Sequence, residues 1–266
     1  MAHDLDLGDD ASRVLGLLDL TDLGEQVTSG AVHSLCRRAI TPYGNVAAVC
    51  LWPEWVRTAK GDLGGAAVRV ATVTNFPSGA ESTADVEAAT ERALTDGADE
   101  IDVVLRYRDV IDGRLHEASE ALGSIRRVVP VDGHHVLKVI LETGELAADE
   151  MIRTAAQLAV DAGADFIKTS TGKTASSASL AATAIMLDVI AASGRHVGLK
   201  PSGGIRTLSD AKMYLAQADE LMGPQWVSPS TYRFGASGLL EALLVELGHS
   251  AGDGDNAVVD HDEAGY

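Results

Sequence analysis

Two lysines in this sequence stand inside short apolar runs that end in turns rich in hydroxyls and glycine. One run reads Phe166-Ile167-Lys168-Thr169-Ser170-Thr171-Gly172-Lys173, the other Val197-Gly198-Leu199-Lys200-Pro201-Ser202-Gly203-Gly204. If the runs are neighbouring strands, ~4.8 Å apart, inward-facing ammonium groups at similar height come within a few ångströms of each other, and one of them should lose its proton. The free amine is the form that attacks a carbonyl. A lysine with the reference pKa of about 10.4 is free amine roughly once in several thousand molecules at pH 7. Lowering that pKa to near 7 recovers about three orders of magnitude, equivalent to roughly 4 to 5 kcal/mol. The pair therefore points to Schiff-base chemistry, unless each lysine merely neutralises an interior carboxylate. Lysine is otherwise scarce: only six of the 21 basic residues are lysines, and Lys138, Lys168, Lys173 and Lys200 all lie within or just after apolar runs.

Carboxylates that complete such a site are present. Asp102 lies in Asp99-Glu100-Ile101-Asp102-Val103-Val104 and shares its strand face with Glu100. Lys138, one strand on, is its natural partner, and Asp19 at the first run can join the same network. A buried carboxylate must be paired, protonated or useful. Asp102 is expected to move protons to and from a carbinolamine and an enamine, directly or through a water, the alternative being a salt bridge that only holds the interior together. Three glycine-containing turns follow the last three runs: Gly172-Lys173, Gly203-Gly204-Ile205-Arg206, and Gly235-Ala236-Ser237-Gly238. Backbone N–H groups in such turns accept close approach by an anion, so a phosphorylated substrate is expected there. Cys50 ends the second run and either faces the site or fills space as a small apolar residue. Residues 72–77 end the third run and should shape the pocket. The eight histidines are scattered, and no His, Cys and Asp grouping has zinc spacing, so neither a metal nor an organic cofactor is expected.

These residues must be positioned by alternating elements. Eight β-branched or apolar runs, at 17–20, 46–51, 68–74, 101–105, 135–141, 166–169, 197–200 and 232–234, alternate with segments of helical period at 30–40, 84–95, 117–129, 148–162, 180–192 and 208–217, and 238–247 follows the last. Ser82 or Thr83 starts one helix, and Thr207 with Asp210 starts another. Repeated βα units with strands apolar on both faces predict a single α/β domain, a (β/α)8 TIM barrel over residues 1–248. No Gly-x-Gly-x-x-Gly follows any run, which disfavours an open dinucleotide-binding sheet. In a barrel the C-terminal strand ends share one face and carry the active site.

A formal net charge of −18 argues against nucleic acid and anionic membrane partners. Part of that charge lies in residues 249–266, expected to be an acidic, flexible C-terminal tail. Two cysteines, Cys36 and Cys50, are too few for a disulfide framework. The first residues carry no basic and apolar leader, so a cytoplasmic location is expected.

Taken together these segments resemble the deoxyribose-phosphate aldolase family from about Leu15 to His249. The resemblance runs through Asp19-Leu20-Thr21, Thr41-Pro42-Tyr43-Gly44-Asn45, Thr72-Val73-Thr74-Asn75-Phe76-Pro77, Gly97 to Val104, Glu142-Thr143-Gly144-Glu145-Leu146, Gly163 to Lys173, Lys200 to Thr207 and Tyr232-Arg233-Phe234-Gly235-Ala236-Ser237. It implies a class I aldolase that reversibly cleaves 2-deoxy-D-ribose 5-phosphate to D-glyceraldehyde 3-phosphate and acetaldehyde in deoxyribose catabolism. By the same resemblance Lys168 forms the Schiff base, Asp102 shuttles protons and Lys200 perturbs the amine. Asp19, Lys138, Cys50 and Thr171 support them, and Gly172, Lys173, Gly203, Gly204, Arg206, Gly235, Ser237 and Gly238 hold the phosphate. Family members often carry a second serine where this chain has Gly238, which removes one hydroxyl from the anion site. Tyr266 resembles a terminal tyrosine that reaches the site in some members. The expected partners are small phosphorylated sugars and aldehydes, and assembly into a homo-oligomer stays open. Two other readings are a different phosphosugar-handling barrel aldolase or isomerase, and a catalytically silent binding barrel.

Overall fold

All eight apolar runs become parallel strands. In the computed structural model, which describes residues 2–248, these are β1 (Leu18–Asp22), β2 (Ala48–Leu51), β3 (Arg69–Thr74), β4 (Glu100–Val104), β5 (Val136–Ile140), β6 (Phe166–Lys168), β7 (Gly198–Lys200) and β8 (Phe234–Ala236). They pair in the order β8-β1-β2-β3-β4-β5-β6-β7. Closure comes from parallel bridges between Leu199 and Tyr232 and between Ser202 and Gly235, supported by Arg233 N donating to Leu199 O at 3.0 Å and Gly235 N to Pro201 O at 2.9 Å. The last strand is thus shared: 231 and 233 bond to Leu199 of β7, while 234–236 pair with β1. Barrel stagger requires that offset, and it explains why the expected 232–234 strand sits two residues later.

Helices flank the strands: α1 (Ala2–Leu15), α2 (Ser29–Arg38), α3 (Val56–Leu63), α4 (Thr83–Thr95), α5 (Leu115–Val128), α6 (Asp149–Asp161), α7 (Leu180–Ser193), α8 (Leu208–Met222) and α9 (Leu239–Glu246). Short polar side chains start several of them. Ser82 caps α4 by accepting from Asp85 N at 3.2 Å, and Thr207 and Asp210 form a reciprocal capping box on α8. Of these nine, two lie outside the expected segments, as do the short helices Tyr107–Ile111 and Thr143–Leu146. For α3 a signal existed, since Val56, Ala59 and Leu63 are buried at helical spacing. α1 packs Ala11, Val14 and Leu15 into the core and is tied to α8 by a bidentate Arg13–Asp219 pair at 2.7 and 2.6 Å. The acidic 249–266 segment and Tyr266 lie outside the described residues. Among the described residues, no helix is long and apolar enough to cross a membrane.

Alternation along the strands divides the side chains between two environments. Leu18, Leu20, Val49, Leu51, Ile101, Val103, Leu137, Val139, Ile167 and Leu199 belong to the main apolar core, shared with buried faces of the helices. Asp19, Glu100, Asp102, Lys138, Lys168 and Lys200, each at most 2 % exposed, take the alternate positions and meet inside the barrel. Register places Lys168 beside Lys200 and Asp102 beside Lys138. Two glycines make room for this interior. A Cβ on Gly198 would stand 2.4 Å from the Phe166 ring, and one on Gly235 would stand 3.1 Å from Cε of Lys200.

Candidate active site

The lysines and carboxylates form one connected ion cluster. Asp102 Oδ1 accepts from Lys138 Nζ at 2.7 Å, and its Oδ2 accepts from both Lys168 Nζ at 2.9 Å and Lys200 Nζ at 2.8 Å. Lys200 Nζ also lies 2.5 Å from Asp19 Oδ2, an ion pair without hydrogen-bond alignment. Beneath them Glu100 pairs with Lys138, with Arg69 at 2.5 Å and with Arg233 at 3.0 Å, and Arg233 donates to Asp19 Oδ1 at 2.6 Å.

Not all three lysines are equally compensated. Lys138 touches Glu100, Asp102 and, at 3.8 Å, Asp19. Lys200 touches Asp19 and Asp102. Lys168 has a single carboxylate oxygen and shares it with Lys200. The proton affinities follow. Burial pushes the Lys168 amine below the usual lysine range, Asp102 opposes that, and the Lys200 charge adds to it. For Lys200, burial acts in the same direction but is overcome by Asp102 and Asp19, which hold its ammonium firmly charged. Lys138 is likewise held charged against burial by Asp102 and Glu100. Burial opposes ionisation of Asp102, yet Lys138, Lys168 and Lys200 keep it far below the ordinary carboxylate range. Of these three lysines, Lys168 alone is pushed below the usual lysine range. The neighbouring cation contributes as expected, but removal from water is the larger cause.

A wall of small inward side chains, Ala48, Cys50, Ala71 and Val73, forms a separate apolar cluster with Leu23 inside the barrel. Cys50 is fully buried among them, and its thiol is pushed up by burial. It therefore acts as a small neutral surface rather than as a nucleophile.

At the C-terminal mouth, a cleft of about 600 Å³ is lined by Thr171, Gly172, Lys173, Gly203, Gly204, Arg206, Gly235, Ser237 and Gly238. Every residue expected to hold the phosphate thus opens onto one space. Thr21, Asp22 and Ser202 also line it and were not anticipated. Gly203 and Gly204 have φ of +85° and +83°, a left-handed backbone that glycine adopts without steric cost. Gly238 stands at the N-cap of α9 and makes no side-chain capping bond, so position 238 adds no hydroxyl to that of neighbouring Ser237, which also lines the cleft.

Two contributors escaped the sequence reading. Glu142, fully buried directly after β5, accepts from Thr171 Oγ1 at 2.5 Å and from Thr171 N at 3.2 Å. Thr171 Oγ1 in turn accepts from Lys173 N at 3.0 Å, so this carboxylate fixes the turn above Lys168. Arg233, 3 % exposed, carries the floor of the ion cluster. Both had a visible signal, a charged residue within or at the end of an apolar run.

Among the described residues, no three His, Cys, Asp or Glu side chains are grouped to hold a metal ion. The arrangement can do amine chemistry: a desolvated amine, a charged ammonium and a carboxylate beside it, and a cleft lined by glycine turns above.

Known proteins are similar to this chain in sequence and architecture. The family model for DeoC/LacD family aldolases matches residues 13–243. The chain is 49 % identical over 237 residues to a deoxyribose-phosphate aldolase of Agrobacterium fabrum, covering 88 % of this chain and 90 % of that one. A solved Coccidioides immitis structure, provisionally named a deoxyribose-phosphate aldolase, is similar with a TM-score of 0.74 and 29 % identity over 87 % of this chain and 85 % of that one. The deoxyribose phosphate aldolase of Aeropyrum pernix, described as having a unique tetrameric structure, shares the fold with a TM-score of 0.70 at 24 % identity, covering 91 % and 97 %. On the family model and the 49 % relative together, the chain belongs to the DeoC/LacD family of aldolases.

Proposed function

We propose that this aldolase reversibly cleaves 2-deoxy-D-ribose 5-phosphate to D-glyceraldehyde 3-phosphate and acetaldehyde, with Lys168 as the Schiff-base lysine. The reading is carried by one observation: the Lys168 amine shares a single oxygen of Asp102 with a firmly charged Lys200, beneath a glycine-lined cleft. Lys168 Nζ adds to the C1 carbonyl of the open-chain sugar, and the carbinolamine loses water to give an iminium. The C3 hydroxyl then gives up its proton and the C2–C3 bond breaks. Its electrons pass into the iminium, leaving an enamine as the three-carbon phosphate departs. Protonation of the enamine carbon and addition of water release acetaldehyde and restore the amine.

Asp102 alone is a weak base at neutral pH because the Lys138 and Lys200 ammonium groups and the Lys168 amine surround it. Proton transfer is therefore assigned to Asp102 and Lys200 acting together, with Asp19 and Lys138 fixing their charges. The turns after β6, β7 and β8 supply N–H groups to the phosphate, with Lys173 and Arg206 at the rim. A role for Tyr266 in proton exchange at the acetaldehyde methyl rests on the resemblance alone, and a cytoplasmic location is supported by two cysteines being too few for a disulfide framework. Family membership and the 49 % relative do not favour an isomerase or a silent barrel.

The test is turnover of 2-deoxyribose 5-phosphate with both products measured. Equimolar acetaldehyde and glyceraldehyde 3-phosphate are expected. An isomerised five-carbon phosphate without acetaldehyde, or no turnover, would refute the reading.

A further inference from the structure

The floor of the barrel holds a charge that the reaction scheme above does not use. Arg233 enters from the segment that closes the sheet, with its backbone N–H bonded to Leu199 O. Its guanidinium is buried and bonded to Asp19, Glu100 and the carbonyl of Pro229, and it lies 5.7 Å from the centroid of the Phe166 ring. Among the described residues, the ion cluster has four fully desolvated cations, Lys138, Lys168, Lys200 and Arg233, against three carboxylates, Asp19, Glu100 and Asp102. Arg69 reaches Glu100 from a position 29 % exposed, where solvent shares its charge. Glu142 is buried as well, but it is bonded to Thr171 and Thr174 at the mouth rather than to these lysines.

A surplus cation in a low-dielectric interior is unstable, and the cheapest remedy is loss of one proton. Arginine cannot supply that proton, because the guanidinium stays charged throughout the accessible pH range. A lysine must, and Lys168 is the least compensated of the three. We propose that Arg233 is a positioning residue for the amine chemistry: acting through Asp19 and Glu100, it leaves the barrel interior one cation richer than its carboxylates, so that Lys168 is the group left without a proton.

The groups facing Lys168 are Asp102 from β4, Lys200 from β7 and the neutral Cys50 from β2. Behind them stand Lys138 on β5, Asp19 on β1, Glu100 on β4 and Arg233 before β8. Arg233 touches none of the reacting atoms. Its path to the nucleophile runs through Asp19, Lys200 and Asp102. The proposal rests on Lys168 being the nucleophile, but its test does not require turnover.

The experiment is a pH titration by NMR of lysine Nζ in protein labelled at lysine, where six lysines keep assignment simple. It compares the native chain with Arg233→Met, Glu100→Gln and the double variant. Removing the guanidinium brings cations and carboxylates level, so the Lys168 midpoint should rise by about one unit, near a tenfold loss of free amine at a pH below it. Glu100→Gln widens the surplus and should lower the midpoint. The double variant restores the surplus and should return it close to the native value, a rescue that a purely structural role would not produce. If Arg233→Met does not fold, Glu100→Gln alone still decides. An unmoved Lys168 midpoint in Glu100→Gln, or a double variant that stays at the Arg233→Met value, would overturn the proposal. Failure to release acetaldehyde from the native chain would instead count against the aldolase reading and leave the titration result intact.

Discussion

Water holds the proton on an exposed lysine, and at residue 168 both removal from water and the Lys200 ammonium work to take it away. The direction fixes a pH dependence. With the amine lowered from the usual lysine value, the rate should rise as pH climbs through the Lys168 pKa and then level off. Lys200→Leu keeps much of the side-chain volume but removes a cation. The Lys168 pKa should then rise, and activity at pH 7 should fall by about tenfold or more, with part of the loss recovered at higher pH. A uniform loss at every pH would assign Lys200 to substrate contact or structure. The same shift has a cost in stability. The unfolded chain binds this proton up to about pH 10.4, whereas folded Lys168 releases it earlier, so folding is penalised below the folded pKa and relieved as pH rises through that window. Lys168→Met is accordingly expected to abolish turnover and raise Tm at pH 7, as read by calorimetry. At the cleft, Lys173→Glu should raise KM for 2-deoxyribose 5-phosphate far more than for 2-deoxyribose, and equal damage to both would indicate a folding defect. The chemistry of these residues was legible because a charge inside an apolar run stands out. Their linkage was not: nothing in the sequence spacing says that Lys168 and Lys200 divide one oxygen of Asp102, or that Glu142 governs Thr171.

Elements fix which side chains share the interior, and two glycines show how tightly. Gly198→Ala would drive a methyl against Phe166, the residue beside it on β6. Overpacking of this kind costs roughly 1–3 kcal/mol, and here it would also displace the strand that carries Lys200. Chemical denaturation and a pH–rate profile on Gly198→Ala should show lower stability together with altered amine titration. All eight strands could be read from the sequence to within two residues, since parallel strands buried on both faces are largely apolar. β8 shows the largest displacement, two residues at each end, because its bonding is divided between two neighbours and the apolar signal covers the half that meets β7. α1 gave little signal because its first turns carry several aspartates, and its burial depends on α8 and α9, distant in sequence. The cap on α8 was readable because Thr207 and Asp210 stand at the spacing that the reciprocal bond requires.

At the scale of the whole molecule, a chain of formal charge −18 gathers cations at two places that the proposed reaction would use, the barrel interior and the rim of the cleft at Lys173 and Arg206. An interior that generates its own free amine needs no Lewis acid, so exhaustive chelation should leave turnover unchanged; loss with EDTA and recovery with a divalent ion would move the chain to different chemistry. Selection of one lysine of six as the nucleophile by the whole ion cluster can be read by reducing the enzyme with borohydride in the presence of 2-deoxyribose 5-phosphate, then digesting it and mapping the added mass. A two-carbon or five-carbon adduct is expected on the peptide containing Lys168, absent in Lys168→Ala. An adduct on Lys200 with Lys168 unmodified, or undiminished trapping in Lys168→Ala, would contradict that selection.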